Sequence, residues 1–221
     1  MKVLSRKEYV HGGQDSVHID PATYGKAHNT LINDRSLNGF RRVANAYTGV
    51  SSDEINKAVV RRNSGAGVDP VTAKDLDHLS SGLRHPDFKL THPGTVWTHV
   101  YAPKGIMMTG SHPLLGVKKA GDTIHLDRYV SATQDFSEIR ANTEVKNKFP
   151  GQVHHVIQWN LPAGYNKGAS ISHISKFTHE REFLMDHGQK FRFTGKDTKT
   201  FGHFSGSGPV LHIWHFEPVA D

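Results

Sequence analysis

The sequence has no cysteine. That excludes a disulfide framework, a thiolate nucleophile and cysteine-ligated zinc, and it is compatible with a reducing cytosol. No stretch approaches the ~18 apolar residues of a membrane helix. The opening MKVLSRKEYV has no apolar run of signal-peptide length. A cytoplasmic protein without a membrane partner is the expectation. P-loop, GxGxxG, GxSxG and HExxH patterns are all missing, which removes the usual nucleotide-cradle, serine-elbow and zincin readings. No internal repeat or low-complexity tract occurs. Finally, no arginine stands between Thr91 and Gly121.

The chain has 221 residues, enough to bury a sizeable core as one domain or one domain with a helical extension. With 22% charged and 36% hydrophobic residues it reads as an ordinary globular protein. The formal charge of +6 and a pI near 9.5 favour acidic partners: nucleic acid, nucleoprotein or an anionic cofactor. The 17 histidines raise the positive charge further below neutral pH.

Periodicity divides the chain near residue 90. Residues 1–30, broken by Gly12-Gly13 and Pro21, read as a loop-rich lead-in. Leu37, Phe40, Val43, Ala44 and Tyr47 recur at helical spacing, with Gly49 as a stop. SSDEINKAVVRR reads as a second helix, capped by Ser51 or Ser52, with Asp53 and Glu54 in its first turn and Ile55, Ala58 and Val59 as its apolar stripe. DPVTAKDLDHLSSGLRH is a third, with Val71, Leu76, Leu79 and Leu83 inward and Pro86 as terminator. Strands follow at about Thr95–Tyr101, through TIHLDRYVSAT, at His154–Leu161 and at 209–218, with a short helix at Asp135–Lys148. Helices first and strands afterwards predict an α+β fold with a largely antiparallel or mixed sheet. Trp97, Trp159 and Trp214 fall in strands and read as core.

The chemistry concentrates in ISHISKFTHEREFLMDHGQKFRF, residues 171–193. Glu180 and Glu182 stand two apart at the start of a β-type run. Residues i and i+2 of a strand share a face, so both carboxylates can enter one cleft. Asp186-His187-Gly188 reads as the turn of a hairpin to a strand pairing behind them. Paired carboxylates can stabilise positive charge at a reacting sugar carbon or activate a nucleophile. On spacing alone the pair reads first as an exposed strand start with its charges in water.

Histidines also invite a metal reading, at His154, His155, His173, His179, His212 and His215. Strand ligands need i and i+2 spacing, which neither His154/His155 nor His212/His215 has. A site of His173, His179, Glu180 and His212 is the remaining possibility, and it lacks a His-x-His. No metal is expected.

Five stretches follow one another: VANAYTGVSSDEINKAVVRR, LDHLSSGLRHPDFKL, RYVSATQDFSEI, VIQWNLPAG and ISKFTHEREFLMDHGQKFRFTG. In this order, over about residues 36–217, they resemble the ADP-ribosyltransferase exoenzyme family, the mono-ADP-ribosyltransferases of bacterial toxins and T-even phage proteins. The E-x-E stretch is the most specific match, and Ser131-Ala132-Thr133 is similar to the family's Ser-Thr-Ser strand. The resemblance implies one ADP-ribosyltransferase domain over 1–221, helical over 1–90 and mainly β over 91–221. Its fold would be a split β-sandwich with an N-terminal helical region and the NAD cleft between the sheets. The implied activity is NAD-dependent ADP-ribosyl transfer to a protein arginine with release of nicotinamide. Targets would be host transcription or translation proteins, ribosomal or RNA-associated given the basic pI, in a host cytoplasm if the chain is phage-encoded. NAD-capped RNA is an alternative donor.

Residue by residue, the resemblance implies that Glu182 stabilises the oxocarbenium-like ribose and that Glu180 orients the acceptor. A Glu there, instead of Gln, is linked in the family to arginine, whose guanidinium a carboxylate matches bidentately. Ser131 would brace the cleft, its alternative being a strand serine bonded to backbone. Phe177 would contact the protein substrate, and His99, Tyr101, Ser131 and Thr133 the NAD. The family's first strand usually carries an arginine for the dinucleotide phosphates, in a pattern like Val-Tyr-Arg-Gly; here TVWTHVYAPKG has Ala102 and Pro103 at the last two positions. His99 lies at or beside the arginine position if the pattern shifts upstream. It reads either as a donor to ribose or phosphate or as a packed strand histidine. Lys104, Lys118 and Lys119 read either as phosphate charge or as solvated surface. The competing readings are a binding module that keeps the fold without NAD chemistry and an NAD glycohydrolase.

Overall fold

A computed structural model describes residues 21–100, 117, 119–146, 153–200 and 210–220. Five helices are described: α1 (Pro21–Asn33), α2 (Asn38–Ala46), α3 (Ser52–Asn63), α4 (Pro70–Leu83) and α5 (Phe136–Lys146). The strands are β1 (Gly94–Val100), β2 (Thr123–Leu126), β3 (Val130–Thr133), β4 (Val153–Leu161), β5 (Gly168–Ser170), β6 (Glu182–Met185), β7 (Gln189–Thr200) and β8 (Val210–Pro218). This is the α+β class expected, with an N-terminal helical region.

The helices form for local reasons that the sequence mostly displays. Asp69 caps α4, its carboxylate accepting the Thr72 N–H at 3.0 Å, and Pro70 follows at the position where a missing N–H costs nothing. Leu76, Leu79 and Leu83 are buried, but Val71 is 72% exposed, against expectation. Val71 and Leu76 are five residues apart, about 1.4 turns, so they cannot share a face. Gly49 does interrupt the helical path, with φ −97° and ψ −127° between α2 and α3. Ser51 stands before α3 but makes no side-chain cap, although Asp53 and Glu54 occupy the first turn as expected. Part of the supposed lead-in is helix α1: it begins at Pro21 and buries Ala27 and Leu31, one turn apart. Gly82 lets α2 and α4 meet, since a Cβ there would lie 2.2 Å from the Phe40 ring.

The strands make one sheet of order β2-β7-β8-β4-β1-β3-β6-β5. All pairs are antiparallel except β4–β8. The expected split lies between β1 and β3, where the ladder has one pair among the described residues, Trp97 with Thr133, and Thr98 Oγ1 donates to Ser131 O at 3.0 Å. Five strands lie on one side of this seam and three on the other. The two parts nevertheless share a core: Val96, Ile157, Trp159, Phe191 and Phe216 from one cluster with Ala132, Phe183 and Met185 from the other. On the opposite face each part has its own cover. Phe136 and Ile139 of α5 pack on Trp97, Val156, Leu211 and Ile213. The helical region, through Phe40, Tyr47, Leu79 and Leu83, packs on Tyr129, Ala169 and Leu184. A seam therefore runs between two covers, and β6 begins beside it.

Two connections differ from the sequence expectation. TIHLDRYVSAT is two strands, not one: β2 pairs with β7 at one edge and β3 lies at the seam. Residues 182–193 are not a hairpin either. β6 pairs with β3 and β5, while β7 pairs with β2 and β8, so Asp186–Gly188 crosses from the three-strand part to the five-strand part. Gly188 still supplies the turn's positive φ, at 76°. The crossing is pinned by fully buried Asp186, which accepts Arg84 Nε at 2.5 Å, Ser80 Oγ at 3.0 Å and the His187 N–H at 2.9 Å. That carboxylate is satisfied on both oxygens, which is what makes its burial tolerable.

Candidate active site

Glu182 opens β6 opposite Thr133 and is 4% exposed. Each of its oxygens has a serine donor. Ser131 Oγ donates to Oε1 at 2.7 Å, and Ser175 Oγ to Oε2 at 3.0 Å. Burial raises the carboxyl above the usual glutamate range, the two serine bonds pull it back, and neighbouring Glu180 pushes it up again.

Glu180 reaches the same place by a route other than strand alternation. It ends a short 3-10 turn, Thr178–Glu180, and Arg181 follows in the left-handed region at φ 45° and ψ 51°. That reversal lets Glu180 stand over the seam while Glu182 enters the strand. Buried Gln134 fixes the reversal: its N–H donates to Arg181 O at 3.0 Å and its side-chain amide to the same oxygen at 3.1 Å. Burial raises the Glu180 carboxyl, His179 lowers it and Glu138 raises it.

The two carboxylates are shared by two cavities. One, of about 290 Å³, is lined by Trp97, Thr98, His99, Ser131, Thr133 and Glu138, together with Glu180 and Glu182. The other, of about 250 Å³, adds Tyr47, Thr48, Ser52, Asn56 and Phe177 from the helical side. Both are near the lower end of ligand-pocket volumes, ~300–1,000 Å³. A carboxylate between them, braced by hydroxyls, can accept hydrogen bonds from hydroxyl groups and stabilise a developing positive charge.

The structure thus brings together Glu182, Glu180, Ser131, Thr133, His99 and Phe177. Ser131 is bonded to the glutamate, one of the two roles left open for it. Thr133 has its hydroxyl committed to the turn, donating to Glu180 O at 2.7 Å and accepting the Asp135 N–H at 3.0 Å. His99 lines the first cavity with Ser131, and its ring centroid is 5.5 Å from that of His154. Among the described residues lining either cavity, His99 is the only one able to carry positive charge. Phe177 is 45% exposed at the loop tip. Lys119 is exposed in the turn before β2, at the far edge of the sheet, and lines neither cavity. Tyr101, Ala102, Pro103, Lys104 and Lys118 lie outside the described residues.

Sequence reasoning missed Ser175, Gln134, Tyr47 and Asn56. Tyr47 and Asn56 sit on the helical face that closes the second cavity, and Asn56 Nδ2 donates to the Tyr47 hydroxyl at 3.2 Å. Burial pushes the Tyr47 hydroxyl far up, so it stays protonated and donates to Tyr129 O at 3.2 Å. Only the presence of ISKF ahead of the glutamates hinted at Ser175. Among the described residues no group of three or more His, Asp or Glu could hold a metal ion, and no helix is long and apolar enough to cross a membrane.

No protein-family profile matches the chain, and no curated protein matches it significantly. Solved structures do. Plx2a, an ADP-ribosyltransferase toxin from Paenibacillus larvae, superposes with a TM-score of 0.61 at 18% identity, over 90% of this chain and 92% of that one. C2-I, the enzymatic component of the C2 toxin of Clostridium botulinum, gives 0.63 at 15% identity, over 99% of this chain and 50% of its own. C3larvin toxin, a second ADP-ribosyltransferase from Paenibacillus larvae, gives 0.59 at 14% identity, over 94% of this chain and 98% of that one. The chain therefore spans about the whole of Plx2a and C3larvin but half of C2-I. At these identities the likeness establishes architecture: this chain has the fold of the ADP-ribosyltransferase toxins.

Proposed function

We propose that the protein transfers ADP-ribose from NAD to an arginine side chain of a protein, releasing nicotinamide. The observation that carries this is the state of Glu182: a buried carboxylate, one serine on each oxygen, lining a cleft beside a second carboxylate. Two of the similar structures, the toxin BECa of C. perfringens and a C3-type protein of S. aureus, were solved with NADH and with NAD.

In this reading the bond from the ribose anomeric carbon to the nicotinamide nitrogen breaks, and its electron pair leaves with neutral nicotinamide. Glu182 faces the positive charge left on the ribose, in a site where burial strengthens the attraction. Ser131 and Ser175 hold both its oxygens, so little reorganisation is needed as charge develops. Glu180 orients the incoming guanidinium and takes the proton it loses when the new C–N bond forms. Phe177, exposed beside it, contacts the protein carrying that arginine. His99 donates to the dinucleotide where related strands use arginine, a single donor in place of a fork. Host transcription or translation proteins, ribosomal or RNA-associated ones among them, are the proposed targets, suited to the charge of +6.

Incubation with labelled NAD and a host lysate tests the proposal. Label on protein that disappears with Glu182→Gln supports transfer. Free ADP-ribose without labelled protein identifies a glycohydrolase instead. No binding of NAD by calorimetry, with the protein folded, identifies a module that has kept the fold without the chemistry.

A further inference from the structure

The loop between β5 and β6 is tied down at its base. Ile171 N–H donates to Glu182 O at 2.9 Å, Asn45 Nδ2 to Ile174 O at 2.7 Å, and the Lys176 N–H to Thr48 Oγ1 at 3.0 Å. Beyond Lys176 the loop turns outward to exposed Phe177. Buried Ser175 stands where base becomes tip. Its Oγ accepts the Phe177 N–H at 3.1 Å and donates to Glu182 Oε2 at 3.0 Å.

This relay has one direction. An amide N–H can only donate, so Ser175 meets Phe177 with a lone pair, and its single proton goes to Glu182. The two serines on Glu182 therefore differ in kind. Ser131 is fixed by the pairing of β3 with β6, whereas the Ser175 hydroxyl is oriented by the loop that bears Phe177.

We propose that Ser175 is a positioning residue, which fixes the second oxygen of Glu182 and makes that grip depend on the conformation of the Phe177 loop. The inference rests on Glu182 being the sugar-side carboxylate. A loop conformation that withdraws the Phe177 N–H frees the Ser175 hydroxyl to rotate, and Glu182 then loses one of its two donors. Engagement of a protein at Phe177 is thereby coupled to the orientation of the reacting carboxylate.

The test uses the full chain, with glutamate carboxyl carbons labelled for NMR titration and the Glu182 signal assigned by its loss in Glu182→Gln. Ser175→Ala should raise the Glu182 titration midpoint by about half a pH unit or more, because a bond that favours the charged form is gone. Ser175→Cys, near-isosteric with a weaker donor, should fall between, and it serves alone if the alanine variant fails to fold. In NAD turnover, Ser175→Ala should move the acidic limb of the kcat profile to higher pH and lower kcat roughly tenfold, with KM for NAD within about twofold. An unmoved Glu182 midpoint in a folded Ser175 variant overturns the relay. A shifted midpoint in a protein that never turns over NAD leaves the relay standing and overturns the catalytic reading instead.

Discussion

Ser131 donates to Glu182 Oε1 at 2.7 Å, although the strand register pairs Ser131 with Leu184 and Glu182 with Thr133. The bond is a diagonal one across β3 and β6, on the face that opens into the seam. Hydrogen bonds to charged groups are worth about 1.5–3 kcal/mol each. Here they offset part of the cost of burying a carboxylate, and the remainder appears as its raised pKa.

Glu182→Gln should lower both ADP-ribosyl transfer and NAD hydrolysis by roughly 100-fold or more, as expected for loss of charge opposite an oxocarbenium. Labelled NAD measures both. Near-normal turnover in the variant would remove Glu182 from the chemistry.

The same substitution has a signed effect on stability. The Glu182 pKa is raised on folding, so between its unfolded and folded values the folded state binds the extra proton. Stability from this group therefore falls as pH rises through that window. Measured against the parent, Glu182→Gln should therefore be relatively more stable at pH ~8 than at pH ~4, the ordinary glutamate range. Urea unfolding at both pH values decides it; a relative stability that rises toward acid contradicts burial as the dominant cause.

Glu180→Ala should remove arginine modification while leaving NAD hydrolysis within about threefold. Loss of both activities together would place Glu180 at the sugar, not the acceptor.

His99→Ala should raise KM for NAD roughly 3–10-fold, the worth of about one hydrogen bond, with thermal stability little changed. A fall in Tm with KM unchanged would make His99 a packing residue.

Arg181→Val should cost about 1–2 kcal/mol, because a β-branched side chain resists the left-handed backbone found there. Arg181→Gly should be tolerated. Equal stability of the two variants by denaturant unfolding would mean that the reversal between the glutamates is not under this constraint.

Much of the site was legible because its parts are short and local. Glu180, Glu182, Ser131 and Phe177 lie in stretches whose residue types and order carry the information. The helix stripes of Leu76, Leu79 and Leu83 follow from period alone, and Gly49 and Pro86 from backbone chemistry. What misled was inference one step further. The i and i+2 rule placed both glutamates in one cleft, and they are there. The cause, however, is a left-handed Arg181 held by Gln134, not a strand. The turn at Asp186–Gly188 was recognised, but a turn does not say which strands it joins.

By itself the sequence determined the α+β class, the helix-to-strand division near residue 90 and the carboxylate pair, since these rest on periodicity and on neighbours a few residues apart. The tertiary structure alone decided that a sheet seam with one ladder pair among the described residues, between two separately packed covers, is where the two carboxylates stand. It also decided that Ser175, from a loop, completes the grip on Glu182, and that His99 is the one described residue of the cavities able to carry positive charge. Those are contacts between residues dozens of positions apart or around an irregular loop. Their geometry comes from which strands pair and which faces are covered, and no local pattern encodes that.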